Sequence, residues 1–169
     1  MNNFQFSMST QVYFGKDEIN HLPEIISQFG KRVLLTYGGG SIKRMGIYDK
    51  VKELLADCDI FEVSGIVPNP RIESVREGVE LCKKEKVDVV LAVGGGSVID
   101  CSKGIVAGAC YEGDAWDLIS GKQPIRSALP LIAIPTMAAT GSECDAGAVV
   151  SDMSIHAKQS FFSPLIQPK

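Results

Sequence analysis

Residues 92–99 read AVGGGSVI, and residues 37–42 read YGGGSI. The tetrapeptide GGGS thus occurs at 38–41 and again at 94–97. Each copy follows a short apolar run, RVLLTY (32–37) in one case and VDVVLAV (87–93) in the other. Each precedes a stretch with helical spacing, IKRMGIYDKVKELLAD (42–57) and VIDCSKGIVAGACY (98–111). Between the two units lie a further strand, DIFEVSG (59–65), and a helix, RIESVREGVELCKKEK (71–86), with Ile72, Val75, Val79 and Leu81 on its apolar side. A fourth buried strand, LPLIAI (129–134), runs into a third small-residue loop, PTMAATGSE (135–143). Near-continuous apolar strands alternating with amphipathic helices predict an α/β fold, a Rossmann-like parallel sheet with helices on both faces. Right-handed crossovers then bring the strand-to-helix loops to one edge, where ligands bind in such sheets.

Outside this repeat, residues 4–14 (FQFSMSTQVYF) alternate polar and apolar and predict two short strands in a hairpin. KDEINHLPEIISQFG (16–30) predicts a helix with Ile19, Leu22, Ile25, Ile26 and Phe29 inward, and His21 reads as an ordinary surface residue on it. The tail from Asp145 carries strand-like runs and no long helix. The bulk numbers fit one domain: 169 residues, 45% hydrophobic and 22% charged. A net charge of −3 with no Lys/Arg block argues against nucleic acid or an anionic membrane as partner. There is no run of apolar residues long enough to span a bilayer and no signal-peptide pattern. Five cysteines, never spaced CxxC, read as reduced thiols and point to the cytoplasm. With only His21 and His156, a metal site built within these residues is not expected.

The chemistry sits in the glycine loops. A phosphate needs several N–H donors and a close backbone approach, which a missing Cβ allows, and a following helix adds free N–H groups and a positive dipole end. Serine adds a hydroxyl. Neither loop matches the dinucleotide fingerprint G-x-G-x-x-G: the first reads G-G-G-S-I-K and the second G-G-G-S-V-I. A loose use of the fingerprint would put phosphate at 38–41 and the ribose on Glu62, giving NAD; Glu62 reads equally as a strand-end residue.

GGGSVIDCSK (94–103) followed by PTMAATGSE resembles the iron-containing alcohol dehydrogenase family, whose members carry GGGSxxDxxK and a PTxxxTGSE-type motif in that order. LLTYGGGSIK, IVPNP and TGSECDAGAVVS further resemble its butanol dehydrogenase and NADPH-dependent aldehyde reductase branch. The resemblance implies a dehydroquinate synthase-like N-terminal domain over 1–169. It places the pyrophosphate on Gly95, Gly96 and Ser97, with Asp100, Thr136, Thr140 and Lys158 beside the cofactor. Asp100 also reads as a first-turn dipole partner. Asn69 either reaches the adenosine end or holds its turn.

It gives the adenosine ribose to Gly38, Gly39, Gly40 and Ser41. Family members that prefer NAD tend to carry an acid there. This loop has none, and Lys43 and Arg44 follow it, so NADP(H) is the expected cofactor. The two cations read equally as a solvated helix face. The family's catalytic iron, or zinc in its place, is held by an aspartate and three histidines of a C-terminal helical domain. His156, Asp145 and Asp152 match none of them, so the ligands are expected outside this chain. The implied reaction is hydride transfer between NADP(H) and a primary alcohol or aldehyde, with these residues alone inactive. A stand-alone nucleotide-binding module and a glycerol dehydrogenase-like polyol oxidoreductase are the competing readings. The N-terminal hairpin offers an edge for pairing in a homodimer.

Overall fold

The computed structural model describes residues 8–169. Four strands form a parallel sheet: β1 (Arg32–Tyr37), β2 (Asp59–Val63), β3 (Val89–Gly94) and β4 (Leu131–Pro135), in the order β2-β1-β3-β4. β1 and β3 are direct neighbours, with Tyr37 opposite Val93, and Gly94 of β3 stands opposite Pro135 of β4. The chain moves outward from β1 to β2, then returns past β1 to β3 and β4. Strand order therefore reverses between β1 and β3, and a crevice opens at that switch point beyond the carboxyl ends of the strands.

The central strands are buried, β3 throughout and β1 beyond its first residue, Arg32, because both faces are covered. On one face α1 (Leu22–Ser27) and α3 (Ile47–Leu54), preceded by the short α2 (Ser41–Arg44), pack on Val33, Leu35, Val89, Leu91 and Val93. On the other, α4 (Ile72–Glu85), α5 (Gly96–Ala109) and α6 (Ala115–Ile119) pack on Leu34, Val90 and Ala92. Odd and even positions of each strand thus feed separate cores, as a two-residue side-chain period requires. An antiparallel hairpin, β5 (Gly147–Asp152) and β6 (Ala157–Phe162), lies outside the sheet and buries Ala148, Val150 and Phe161 in the second core.

Two expectations need correction. The helix expected over 42–57 is broken: α2 ends at Arg44, and Gly46, at φ +74°, starts α3 afresh. Of the hairpin expected over 4–14, residues 8–14 form no strand, and residues 4–7 lie outside the described residues. Alternation supplies an apolar face, but among the described residues it finds no neighbouring strand. Thr10 instead donates from Oγ1 to the carbonyl of Pro168 at 2.7 Å and accepts from Gln167 Nε2 at 3.2 Å.

Candidate functional site: the glycine-loop edge of the sheet

The two GGGS copies share a sequence but not a shape. After β1 three residues, Gly38 to Gly40, intervene before α2, and Gly40 takes the left-handed conformation at φ +98°. After β3 the strand runs through Gly94 and α5 begins at Gly96, leaving Gly95 alone as the connection. The second turn is tight. A Cβ on Gly94 would come within 2.6 Å of Val98 Cγ2, and one on Gly96 within 2.6 Å of Thr140 Oγ1. The first is open at its middle: a Cβ on Gly39 would meet nothing within 4 Å, whereas one on Gly38 would stand 3.2 Å from Ile66 O. Among the described residues no side chain caps the fourteen-residue helix α5; the N–H groups of Val98 and Ile99 bond to Gly95 O, at 2.9 and 3.3 Å, and those of Gly96 and Ser97 are left for an external acceptor, at the positive end of the dipole.

The third loop closes over the second. The backbone N–H of Thr136 donates to Gly94 O at 3.0 Å, and Thr140 Oγ1 shares a 2.7 Å hydrogen bond with Ser142 Oγ. One turn into α5 stands Asp100. Its Oδ2 accepts from the backbone N–H of Val149 in β5 at 3.1 Å, while Oδ1 is buried with no partner among the described residues. Burial pushes this carboxyl above the ordinary carboxylate range, opposed by the Val149 N–H, the nearby Ser142 hydroxyl and the charge of Lys103. Asp100, Thr140, Ser142 and Asp145 line one cleft of about 480 Å³. An orphaned buried acceptor and an uncapped helix start beside a cleft fit a polar ligand with both hydroxyl and anionic groups.

Lys103 follows Asp100 on α5, and its side chain is completely buried. Its Nζ donates to Asp145 Oδ1 at 2.5 Å and to Gly147 O at 2.7 Å, tying the helix to the start of β5. It is the final residue of the GGGSVIDCSK motif, and the sequence reading assigned it no role. A lysine set directly before the apolar stretch GIVAGA (104–109) of a helix was the available signal.

Glu62, in β2 opposite Leu35, is committed within the protein. It accepts from Tyr37 Oη at 2.9 Å, Tyr48 Oη at 2.8 Å and Lys52 Nζ at 3.3 Å. Burial works to raise its pKa, but the three donors outweigh that and hold the carboxyl below its usual range. The same bond pushes the Tyr48 phenol up to about 12. Both oxygens are occupied, so Glu62 is neither a loose strand-end residue nor a free acceptor for a ribose hydroxyl. Asn69 and Lys158 also meet. Asn69 holds φ +55° beyond β2, and its Oδ1 accepts from Lys158 Nζ of β6 at 2.7 Å.

The sheet thus sets the first loop, the second loop, and the third loop with Asp100 along one edge. The Asn69–Lys158 bond joins the chain beyond β2 to the hairpin. A larger apolar groove of about 830 Å³, lined by Phe14, Ile19, Ile132, Ile134 and Cys144, borders the third loop at Pro135, Ala138 and Glu143 but is not lined by either glycine loop, Asp100, Asn69 or Lys158.

Residues 9–169 match the family model described as iron-containing alcohol dehydrogenase. The chain is 48% identical over its full length to the probable NADH-dependent butanol dehydrogenase 1 of Bacillus subtilis, covering 44% of that protein. It is 44% identical over 99% of its length to the NADPH-dependent aldehyde reductase YqhD of Escherichia coli, again covering 44%. The crystal structure of NADH-dependent butanol dehydrogenase A from Thermotoga maritima superposes with a TM-score of 0.94 at 45% identity, over 100% of this chain and 43% of that one. The chain therefore spans less than half the length of these relatives.

Proposed function

Since the chain belongs to the iron-containing alcohol dehydrogenase family, we propose that it holds NADP(H) for hydride transfer to or from a primary alcohol or aldehyde in the cytoplasm. The observation that carries this reading is the pairing of two glycine loops on adjacent strands at the switch point of the sheet, one of them opening an uncapped helix. Gly95, Gly96 and Ser97 would take the pyrophosphate on the N–H groups of Gly96 and Ser97 and on the serine hydroxyl. Asp100, with one free oxygen in the cleft it shares with Thr140, would orient the nicotinamide half by accepting a hydroxyl or amide proton, and Thr136, bonded to the end of β3, would stand at the second loop. Lys158 and Asn69 would flank the cofactor from the hairpin side. When bound, the nicotinamide supplies the hydride acceptor or donor.

The relatives carry either cofactor in their names, so the preference rests on this chain's own first loop. Gly38 to Ser41 present no carboxylate, and Glu62 is tied up by two phenols and a lysine. Nothing there would repel a 2′-phosphate or reach for a 2′-hydroxyl. Among the described residues no group of three or more His, Cys, Asp or Glu stands close enough to hold a metal ion, so they do not fit the family's iron and supply no metal-dependent step. Five free thiols accord with a reducing compartment, and among the described residues no helix is long and apolar enough to cross a membrane. Calorimetric titration with NADPH and NADH tests the reading. Tighter binding of NADPH is expected, and equal or tighter binding of NADH would overturn the cofactor assignment.

A further inference from the structure

Lys43 is exposed at the first glycine loop, yet it is seated. Its Nζ lies 4.6 Å from the centre of the Tyr48 ring and 5.2 Å from that of Tyr37. The two rings meet nearly edge-on, 5.7 Å apart at 64°, so their faces make a corner into which the ammonium fits. The rings are themselves held. Tyr37 ends β1, Tyr48 lies in the first turn of α3, and their hydroxyls both donate to Glu62 of the neighbouring strand. Glu62 takes its ion pair from Lys52 at 3.3 Å, not from Lys43. The carboxylate thus fixes the aromatic corner while its charge is balanced by another residue. Ring faces attract an ammonium without neutralising it, so the positive charge of Lys43 stays available. Arg44 supports the same sign: its Nη1 stands 4.0 Å from where a Cβ on Gly40 would be.

We propose that Tyr37, Tyr48 and Glu62 are positioning residues that hold Lys43 beside the first glycine loop, where its ammonium selects a dinucleotide bearing an additional phosphate on the adenosine side. This rests on the NADP(H) reading above and adds to it the residues that make the selection. An unrestrained lysine loses rotamer freedom when it engages a phosphate; the aromatic corner removes part of that loss beforehand. Glu62 therefore contributes to phosphate selection although it is itself an anion.

The test is a titration of the protein with NADPH and with NADH across a range of salt concentrations. Lys43→Met is expected to weaken NADPH about tenfold, leave NADH within about twofold, and flatten the salt dependence of NADPH binding. Lys43→Arg, which keeps charge and ring stacking, should restore most of the NADPH affinity. Tyr48→Phe keeps the ring but frees it from Glu62, and should lose several-fold in NADPH affinity with NADH unmoved. If the unaltered protein prefers NADPH and Lys43→Met keeps that preference, the inference is wrong and the cofactor reading stands. If the unaltered protein shows no preference, the cofactor reading itself fails. If Lys43→Met removes the preference and Tyr48→Phe leaves it whole, the positioning role is overturned. The NADH affinity serves throughout as the control for folding.

Discussion

At the scale of single residues, the most consequential group is Lys103, fully buried against a partner, Asp145, whose side chain is half exposed. Removing the partner strands a buried ammonium with only Gly147 O; removing the lysine strands only neutral or hydrated groups. Asp145→Ala should therefore cost about 1–3 kcal/mol, and the nearly isosteric Lys103→Met less, a ranking that urea unfolding midpoints would check. Glu62 gives a pH signature. Its carboxyl is held below its ordinary value of 4.5, so its contribution to stability is complete above that value and is lost as pH falls through the lower folded-state value. Glu62→Gln should flatten the acid side of the stability profile below about pH 5; an unchanged acid limb would show that the three donors do not favour the ionised form. Both residues were visible in the sequence, but not their settings. A charged letter reads as solvated by default, and only tertiary structure brings Tyr37 and Tyr48 onto Glu62 or Asp145 onto Lys103.

At the scale of elements, the strands were legible because burial on both faces leaves near-continuous apolar runs, and their observed limits fall close to those runs. The misread elements depend on features outside that periodicity. Gly46 breaks a helix whose apolar spacing continues across it, and residues 8–14 have strand-like alternation without a strand partner among the described residues. Helix contacts were not readable at all. α4 and α5 cross through their glycines: Gly78 faces Ile105, while Gly104 and Gly108 face Val75 and Val79. A Cβ on Gly108 would stand 2.5 Å from Val79 Cγ2 and 3.0 Å from the Ala115 Cβ. Gly108→Val should force these helices apart and destabilise by about 1–3 kcal/mol despite removing a glycine from a helix, seen as a lowered melting temperature.

At the scale of the whole molecule, the alternating pattern predicted a parallel sheet but not the order β2-β1-β3-β4, because no local signal says which strands become neighbours. That order makes the two glycine loops adjacent, and so makes one dinucleotide able to span them. Binding should then stabilise the fold as a unit: at a hundred times its dissociation constant, NADPH should add about 2.7 kcal/mol and raise the melting temperature by roughly 5–10 °C. A scan with and without cofactor measures this, and no shift at saturating NADPH would count against the site. The unequal loops have a consequence for how such a protein can diverge. Gly94 and Gly96 are locked by Val98 and Thr140, whereas a side chain at Gly39 would enter open space. A lineage can therefore rewrite the residue there, an acid included, without disturbing the packing beneath. The fold confines inheritance of the shared chemistry to one loop and leaves the other as the place where cofactor choice can drift and be selected.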